Sequence, residues 1–319
     1  MTSEAEARAA ILAKVTALTS QRVSLADSLG RFAAEELEAQ EALPPFNNSA
    51  MDGYAVLAAS CREGARLRVR GEQPAGPARS LTTGPGEAIR IFTGAPMPAG
   101  ADAVMMQEDV RREGEEIVVQ CAVAPGEFVR HKGADLAVGQ KILGRGERIA
   151  PQTIALLAAQ GVAELELGTP PRVAIVSTGD ELVPVGSVRS AGQIFESNAL
   201  MLRALALGAG AEVLMVEHCP DDLERMMEIF RRALPHDALI ISGGVSVGDH
   251  DLVKPALRAL GAEIDLWRVA IKPGKPFLFG RAATCSVFGL PGNPVISTNR
   301  KPCVMKRGSQ ASFPPPLSV

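Results

Sequence analysis

Four short loops between residues 172 and 294 carry the residues best suited to chemistry. They are Ser177-Thr178-Gly179-Asp180-Glu181, Ser242-Gly243-Gly244-Val245-Ser246-Val247-Gly248-Asp249-His250-Asp251, Lys272-Pro273-Gly274-Lys275-Pro276 and Leu290-Pro291-Gly292-Asn293-Pro294. Glycine lets a backbone approach a ligand closely, and open amides cradle phosphate oxygens. Carboxylates beside such a cradle repel phosphate unless Mg²⁺ stands between them. Lysines add the positive charge that an oxyanion needs. Glycines, acids and lysines mixed in four loops of one segment therefore describe an anion site that works with a divalent metal.

Each loop leaves an apolar run, and those runs must position it. From Arg172 the pattern is regular: strand candidates at Val173–Val176, Val213–Val216 and Ala238–Ile241 alternate with helical stretches. Ser197 is placed to cap a helix running to Gly208. Asp221 is placed to cap a helix with Leu223, Met226, Met227, Phe230 and Leu234 on one side, and a third helix is expected over about 251–260. Strands alternating with helices of this length predict a parallel sheet covered on both faces. Ligands of such sheets bind beyond the carboxyl ends of the strands, where the first two loops fall.

Upstream the style differs. Ser3 and Glu6 form a capping box for a helix over about 3–19, and Arg22–Ala39 reads as a short strand and another helix, broken at Gly30. Between Pro44 and residue 137 the runs are short and valine-rich: Leu67–Val69, Ala88–Phe92, Ala103–Gln107 and Glu116–Val119. Turn signals separate them, which predicts a small β domain. A helix begins at Pro151 and stops at Gly161, and Val162–Leu167 alternates like a strand. The expected organisation is α/β and multidomain. A helical and mixed N-terminal domain comes from residues 1–41 and 138–170, with a β domain inserted over 42–137. An α/β domain follows over 171–295.

Composition narrows the function classes. The chain has 319 residues, 46% of them hydrophobic but only 4% aromatic, so its core is aliphatic. The net charge of −3 argues against a nucleic-acid surface and makes any anion site a local feature. Cys61, Cys121, Cys219, Cys285 and Cys303 include no closely spaced pair, which disfavours zinc and points to free thiols in a reducing cytoplasm. No apolar run is long enough to span a bilayer, and the acidic start has no secretory character.

Two upstream segments are long and specific. One is Pro44-Pro45-Phe46-Asn47-Asn48-Ser49-Ala50-Met51-Asp52-Gly53-Tyr54-Ala55-Val56. The other is Phe92-Thr93-Gly94-Ala95-Pro96-Met97-Pro98-Ala99-Gly100-Ala101-Asp102-Ala103-Val104. With the four loops, they resemble the molybdopterin molybdenumtransferase family, to which the E domain of gephyrin belongs. The resemblance runs over about residues 3–295 in unbroken order. It implies that the α/β domain is a three-layer αβα molybdopterin-binding fold with a mostly parallel sheet. It implies insertion of molybdate into adenylylated molybdopterin, with Mg²⁺ and release of AMP, by a homodimer whose cleft uses both subunits.

The resemblance also assigns roles to particular residues. Asp52, Thr93, Asp135, Glu181, Asp251 and Lys272 match catalytic positions; Glu181, Asp221 and Asp251 suit Mg²⁺. Gly243, Gly244, Ser246 and Gly248 suit close backbone contact with the pterin or the adenylate phosphate. Arg268 and Lys275 suit molybdate or phosphate, and Pro291, Gly292, Asn293 and Pro294 form the matching LPGNP loop. Plainer readings stand beside these. Asp52 and Thr93 are also ordinary turn residues, Glu181 and Asp221 also suit helix starts, and Lys272 and Lys275 also suit a solvated surface. Two rival functions stand beside this one: a molybdopterin adenylyltransferase, which the SGG loop also suits although the two upstream segments belong to the larger transferase, and a pterin-binding scaffold without turnover, which the altered C-terminus supports.

After Pro294 the family pattern stops. Residues 296–319, which include Pro-Pro-Pro, have no sustained period and read as a disordered tail in place of the family's C-terminal β domain. The abrupt change reads as a frameshift or a misassembled gene end.

Overall fold

This computed structural model describes residues 2–245, 251–269 and 276–292. The expected tail of residues 296–319 lies outside them. The chain divides into two compact units, one of Met1–Glu35, Gly144–Ala155 and Val162–Val319, the other of Glu36–Leu143 and Leu156–Gly161. Five α-helices lie among the described residues: α1 (Glu4–Lys14), α2 (Pro151–Ala159), α3 (Asn198–Gly208), α4 (Leu223–Ala233) and α5 (Val253–Ala259).

Helix α1 begins at the predicted capping box: the Glu6 amide donates to Ser3 Oγ at 3.3 Å, and the Glu6 carboxylate accepts from the Ser3 amide at 2.8 Å. It ends at Lys14, short of residue 19, because Val15 turns to an extended backbone and Thr16 is also β-branched. The helix expected within 22–39 is absent. Ser20–Ser24 is instead a strand paired antiparallel with Glu164–Gly168, followed by one 3₁₀ turn at Leu25–Asp27. Gly30 takes φ of 76°, and the amides of Gly30, Ala33 and Ala34 donate to the Ile149, Glu147 and Glu166 carbonyls. Those long-range bonds replace the helical ones.

In the second unit a sheet forms from β1 (Gly53–Val56), β2 (Arg66–Gln73), β3 (Glu87–Ile91), β4 (Ala103–Met106), β5 (Val110–Glu113) and β6 (Glu116–Val119), in the order β4-β1-β3-β2-β6-β5. Only the β2–β3 pair is parallel. Alternation along the strands sends side chains to two cores. Tyr54, Val56, Leu67, Ala88, Met105 and Ile117 share one, while Ala55, Ile89, Ile91 and Val104 share the other.

In the first unit the sheet comprises β7 (Arg172–Thr178), β8 (Glu212–Cys219), β9 (Ala238–Ser242), β10 (Glu263–Arg268), β11 (Pro276–Ala282) and β12 (Cys285–Leu290). Its order is β8-β7-β9-β12-β11-β10, parallel from β8 to β12, with β11 antiparallel to both neighbours. Six of the seven residues of β7 are buried, so the strand reads as a continuous apolar run. Met226, Ile229 and Phe230 of α4 and Val253 and Leu257 of α5 cover one side of the sheet. Ala199, Leu202 and Ala206 of α3, with Ile11 of α1, cover the other. These are the three αβα layers that the sequence predicts. At the rim strand β8, Val173 pairs with Val213 but Ala174 pairs with Met215, so Leu214 is an extra residue, a β-bulge.

Candidate active site

Asp52 stands just before β1 and Thr93 just after β3. The two strands are antiparallel neighbours, with Gly53 opposite Ile91, so the start of one lies beside the end of the other. Asp52 Oδ1 accepts from both the Thr93 amide and Thr93 Oγ1, each at 2.8 Å. The Thr93 amide, then its hydroxyl, and then the charge of Arg90 hold the Asp52 carboxyl below its ordinary range. Gly53 is required by packing: a Cβ there would lie 1.9 Å from the Met105 carbonyl oxygen on β4. Asp135 forms an ion pair with Arg130. Its loop is tied to the Pro44–Asn47 segment, since the Gly133 amide donates to the Pro44 carbonyl at 3.0 Å and the Lys132 amide to Asn47 Oδ1 at 2.8 Å.

In the other unit, acids collect at the carboxyl ends of the parallel strands. The Asp221 amide donates to Asp180 Oδ1 at 3.0 Å. Burial, then the charge of Asp180 and that of Glu181, push the Asp221 carboxyl up, with the Asp180 bond and His218 offsetting part of this. Asp180, Glu181 and Asp221 thus gather like charge at one end of the sheet, with only His218 offsetting it at Asp221. Among the described residues no three His, Cys, Asp or Glu side chains enclose an ion by themselves. The helix cap expected of Asp221 belongs to Asp222, whose side chain accepts from the Arg225 amide at 2.8 Å. Glu181 opens no helix; it lies in the turn before the short strand Leu182–Val183.

Beside these acids lies the glycine loop. A Cβ on Gly243 would stand 2.5 Å from the Thr178 carbonyl oxygen, and one on Gly244 would stand 2.7 Å from Val253 Cγ2, so the loop rests directly on its neighbours. The Gly243 amide donates to the Leu290 carbonyl at 3.0 Å. Asn198 Nδ2 donates to Ser242 Oγ at 2.9 Å and to the Gly292 carbonyl at 2.7 Å. The glycine loop and the Leu290–Gly292 turn, which carries Pro291, are thus joined. Asn198 Oδ1 and Thr178 Oγ1 are buried with no hydrogen-bond partner among the described residues. Asp251 is also enclosed, with 3% of its side chain exposed, and Lys254 Nζ lies 2.9 Å from its Oδ2. That contact is electrostatic, since neither Asp251 oxygen has a directed hydrogen bond among the described residues.

Ser246, Gly248, Lys272, Lys275, Asn293 and Pro294 lie outside the described residues, and Arg268 is described by its backbone alone, opposite Pro276. Within units, Asp52 meets Thr93, Asp221 meets Asp180, and Gly243 meets Leu290. Sequence reading missed Arg90 and Asn198. Arg90 had a signal: it is a cation in a strand otherwise rich in buried aliphatic residues. Asn198 had none beyond its place at a helix start.

A family model for the MoeA N-terminal region (domain I and II) matches residues 2–161. A second, described as "Probable molybdopterin binding domain", matches residues 174–300. The molybdopterin molybdenumtransferase of Haemophilus influenzae is 38% identical over 275 residues, covering 86% of this chain and 68% of that protein. The chain belongs to the molybdopterin molybdenumtransferase family. Membership makes it a member of a transferase family of molybdenum cofactor biosynthesis. Another member, from Nostoc sp., is 40% identical over 274 residues, covering 83% of this chain and 63% of its own length. The crystal structure of the molybdopterin biosynthesis moeA protein from Pyrococcus horikoshii superposes with a TM-score of 0.77 at 31% identity, covering 93% of this chain and 75% of that one. The chain spans about two thirds of the length of its curated relatives.

Proposed function

We propose that this chain inserts molybdate into the dithiolene of adenylylated molybdopterin and releases AMP. The observation that carries the reading is the acidic group at the strand ends, where burial, then Asp180 and Glu181, push the Asp221 carboxyl up, together with the joined glycine and Pro291–Gly292 loops. In the release step a water oxygen bonds to the adenylate phosphorus and the P–O bond to the molybdopterin phosphate breaks. The water protons pass to the departing oxygen and the solvent. Negative charge gathers on phosphate oxygens in that step, so the residues must supply counter-charge and orientation.

Glu181, Asp221 and Asp251 are the residues we assign to Mg²⁺, which when bound would supply counter-charge to those oxygens. Gly243 and Gly244 bring backbone close to the pterin or its phosphate, with Ser246, Gly248, Pro291, Gly292, Asn293 and Pro294 in the same loops. Lys272, Lys275 and Arg268 receive molybdate or phosphate. Asp52, whose carboxyl the Thr93 donors hold below its ordinary range, is the carboxylate of its own unit that we assign to proton transfer, and Asp135 orders the loop beside the motif segment. We also propose a homodimer acting in the cytoplasm; among the described residues no helix is long and apolar enough to cross a membrane.

The test is incubation of the purified chain with adenylylated molybdopterin, molybdate and Mg²⁺. The expected result is AMP and loaded cofactor in equal amounts, with Asp52→Asn slower by about 100-fold or more. Folded protein that yields no AMP above blank overturns the reading. Turnover that requires ATP replaces it with an adenylyltransferase, and tight pterin binding without turnover replaces it with a scaffold. Light scattering reads the oligomeric state.

A further inference from the structure

We infer that Arg90 is a positioning residue that holds Asp52 and Thr93 in working register, and this rests on reading that pair as part of the active site. Arg90 lies on β3, directly opposite Tyr54 on β1. Its guanidinium donates through Nη1 to the Gly53 carbonyl at 3.0 Å and through Nη2 to Gln107 Oε1 at 2.7 Å. It also lies over two rings, 5.2 Å from the centre of Tyr54 and 4.9 Å from that of Phe92.

Three of these four partners adjoin the pair. Gly53 follows Asp52 and Phe92 precedes Thr93. The Gln107 amide donates to the Asp52 carbonyl at 3.2 Å, so the residue that receives one arm of the fork also holds the Asp52 backbone. One planar cation thus ties the backbone that leaves Asp52 to the residue before Thr93. Lysine carries its three donors on one nitrogen and has no plane to stack, so it cannot span both acceptors while lying over both rings. Arg90 touches neither substrate nor reacting atoms in this scheme; it acts through the two residues that do.

The test compares Arg90→Lys, Arg90→Met and Asp52→Asn in the full chain. Turnover is measured as above, and amide hydrogen exchange at Thr93 is measured without substrate. Arg90→Lys and Arg90→Met are each expected to lower kcat at least tenfold while KM stays within about threefold. Both are expected to speed Thr93 exchange at least tenfold while the amides of β2 and β6 keep their protection. Arg90→Lys with wild-type kcat and wild-type Thr93 exchange overturns the assignment. A loss of protection spread evenly over the whole sheet also overturns it, because Arg90 is then only a packing residue. If Asp52→Asn is inactive while Arg90→Lys behaves as wild type, the Arg90 assignment alone fails. If Asp52→Asn turns over normally, the active-site reading fails and the assignment falls with it. The exchange measurement decides the positioning claim even where turnover is too slow to read.

Discussion

The Asp52 carboxylate shows how two neighbouring donors set the charge of one residue. Thr93→Ala removes the hydroxyl but keeps the amide, which is the larger influence. The Asp52 pKa is therefore expected to rise only part of the way toward 3.8, as read by carbon-detected NMR titration. The sign for stability follows. A depressed carboxyl contributes stability above its unfolded pKa and loses it as pH falls through the lower folded value. Asp221 has the opposite sign: its raised pKa makes stability fall as pH rises above 3.8 through the folded value. Asp221→Asn is accordingly expected to raise Tm by about 1–2 °C in metal-free buffer near neutrality. On the proposed Mg²⁺ assignment, millimolar Mg²⁺ is expected to raise the Tm of the wild type and to leave that of Asp221→Asn unchanged. Equal Mg²⁺ responses in the two proteins would remove Asp221 from the metal site. Sequence alone could nominate both acids but could not separate Asp221 from Asp222 as the cap. That choice depends on the extended backbone at Asp222, with φ −123° and ψ 125°.

At the scale of elements, strand pairing does what spacing cannot foretell. Asp52 and Thr93 are distant in sequence and meet only because β1 and β3 are antiparallel neighbours. The motif loops were visible as motifs, while their pairing needed the sheet. Gly53 sits at that junction, and Gly53→Ala is expected to cost about 3 kcal/mol in denaturant unfolding, because backbone on β4 must move to admit a methyl group. A loss below about 1 kcal/mol would show that β4 yields easily. The failed helix within 22–39 has the same lesson. Its local pattern permitted a helix, but amides of Gly30, Ala33 and Ala34 found acceptors more than a hundred residues away. The βα repeat after Arg172 was legible because each strand there is a buried apolar run and each helix has one apolar side.

At the scale of the molecule, two units with separate cores carry the chain. Phe230 is fully buried in the α4 side of one core, and Ile89 is fully buried in the other unit. Phe230→Ala is expected to remove about 3–5 kcal/mol, and to lower one component of a calorimetric melt while the other stays in place. A single transition shifted as a whole would show that the units unfold together. The αβα layering was readable from alternation of strand and helix. The antiparallel β11 was not, because a buried strand looks the same in either direction. One detail of the rim has a further effect. Leu214 and Val216 are exposed on β8, and an outermost ribbon with apolar side chains invites another chain to zip onto it. The surplus residue at Leu214 kinks that ribbon and throws its amides out of step, so an incoming strand finds no straight ladder to extend. Shortening the ribbon by that one residue is expected to straighten the seam and leave a border onto which a second copy can splice.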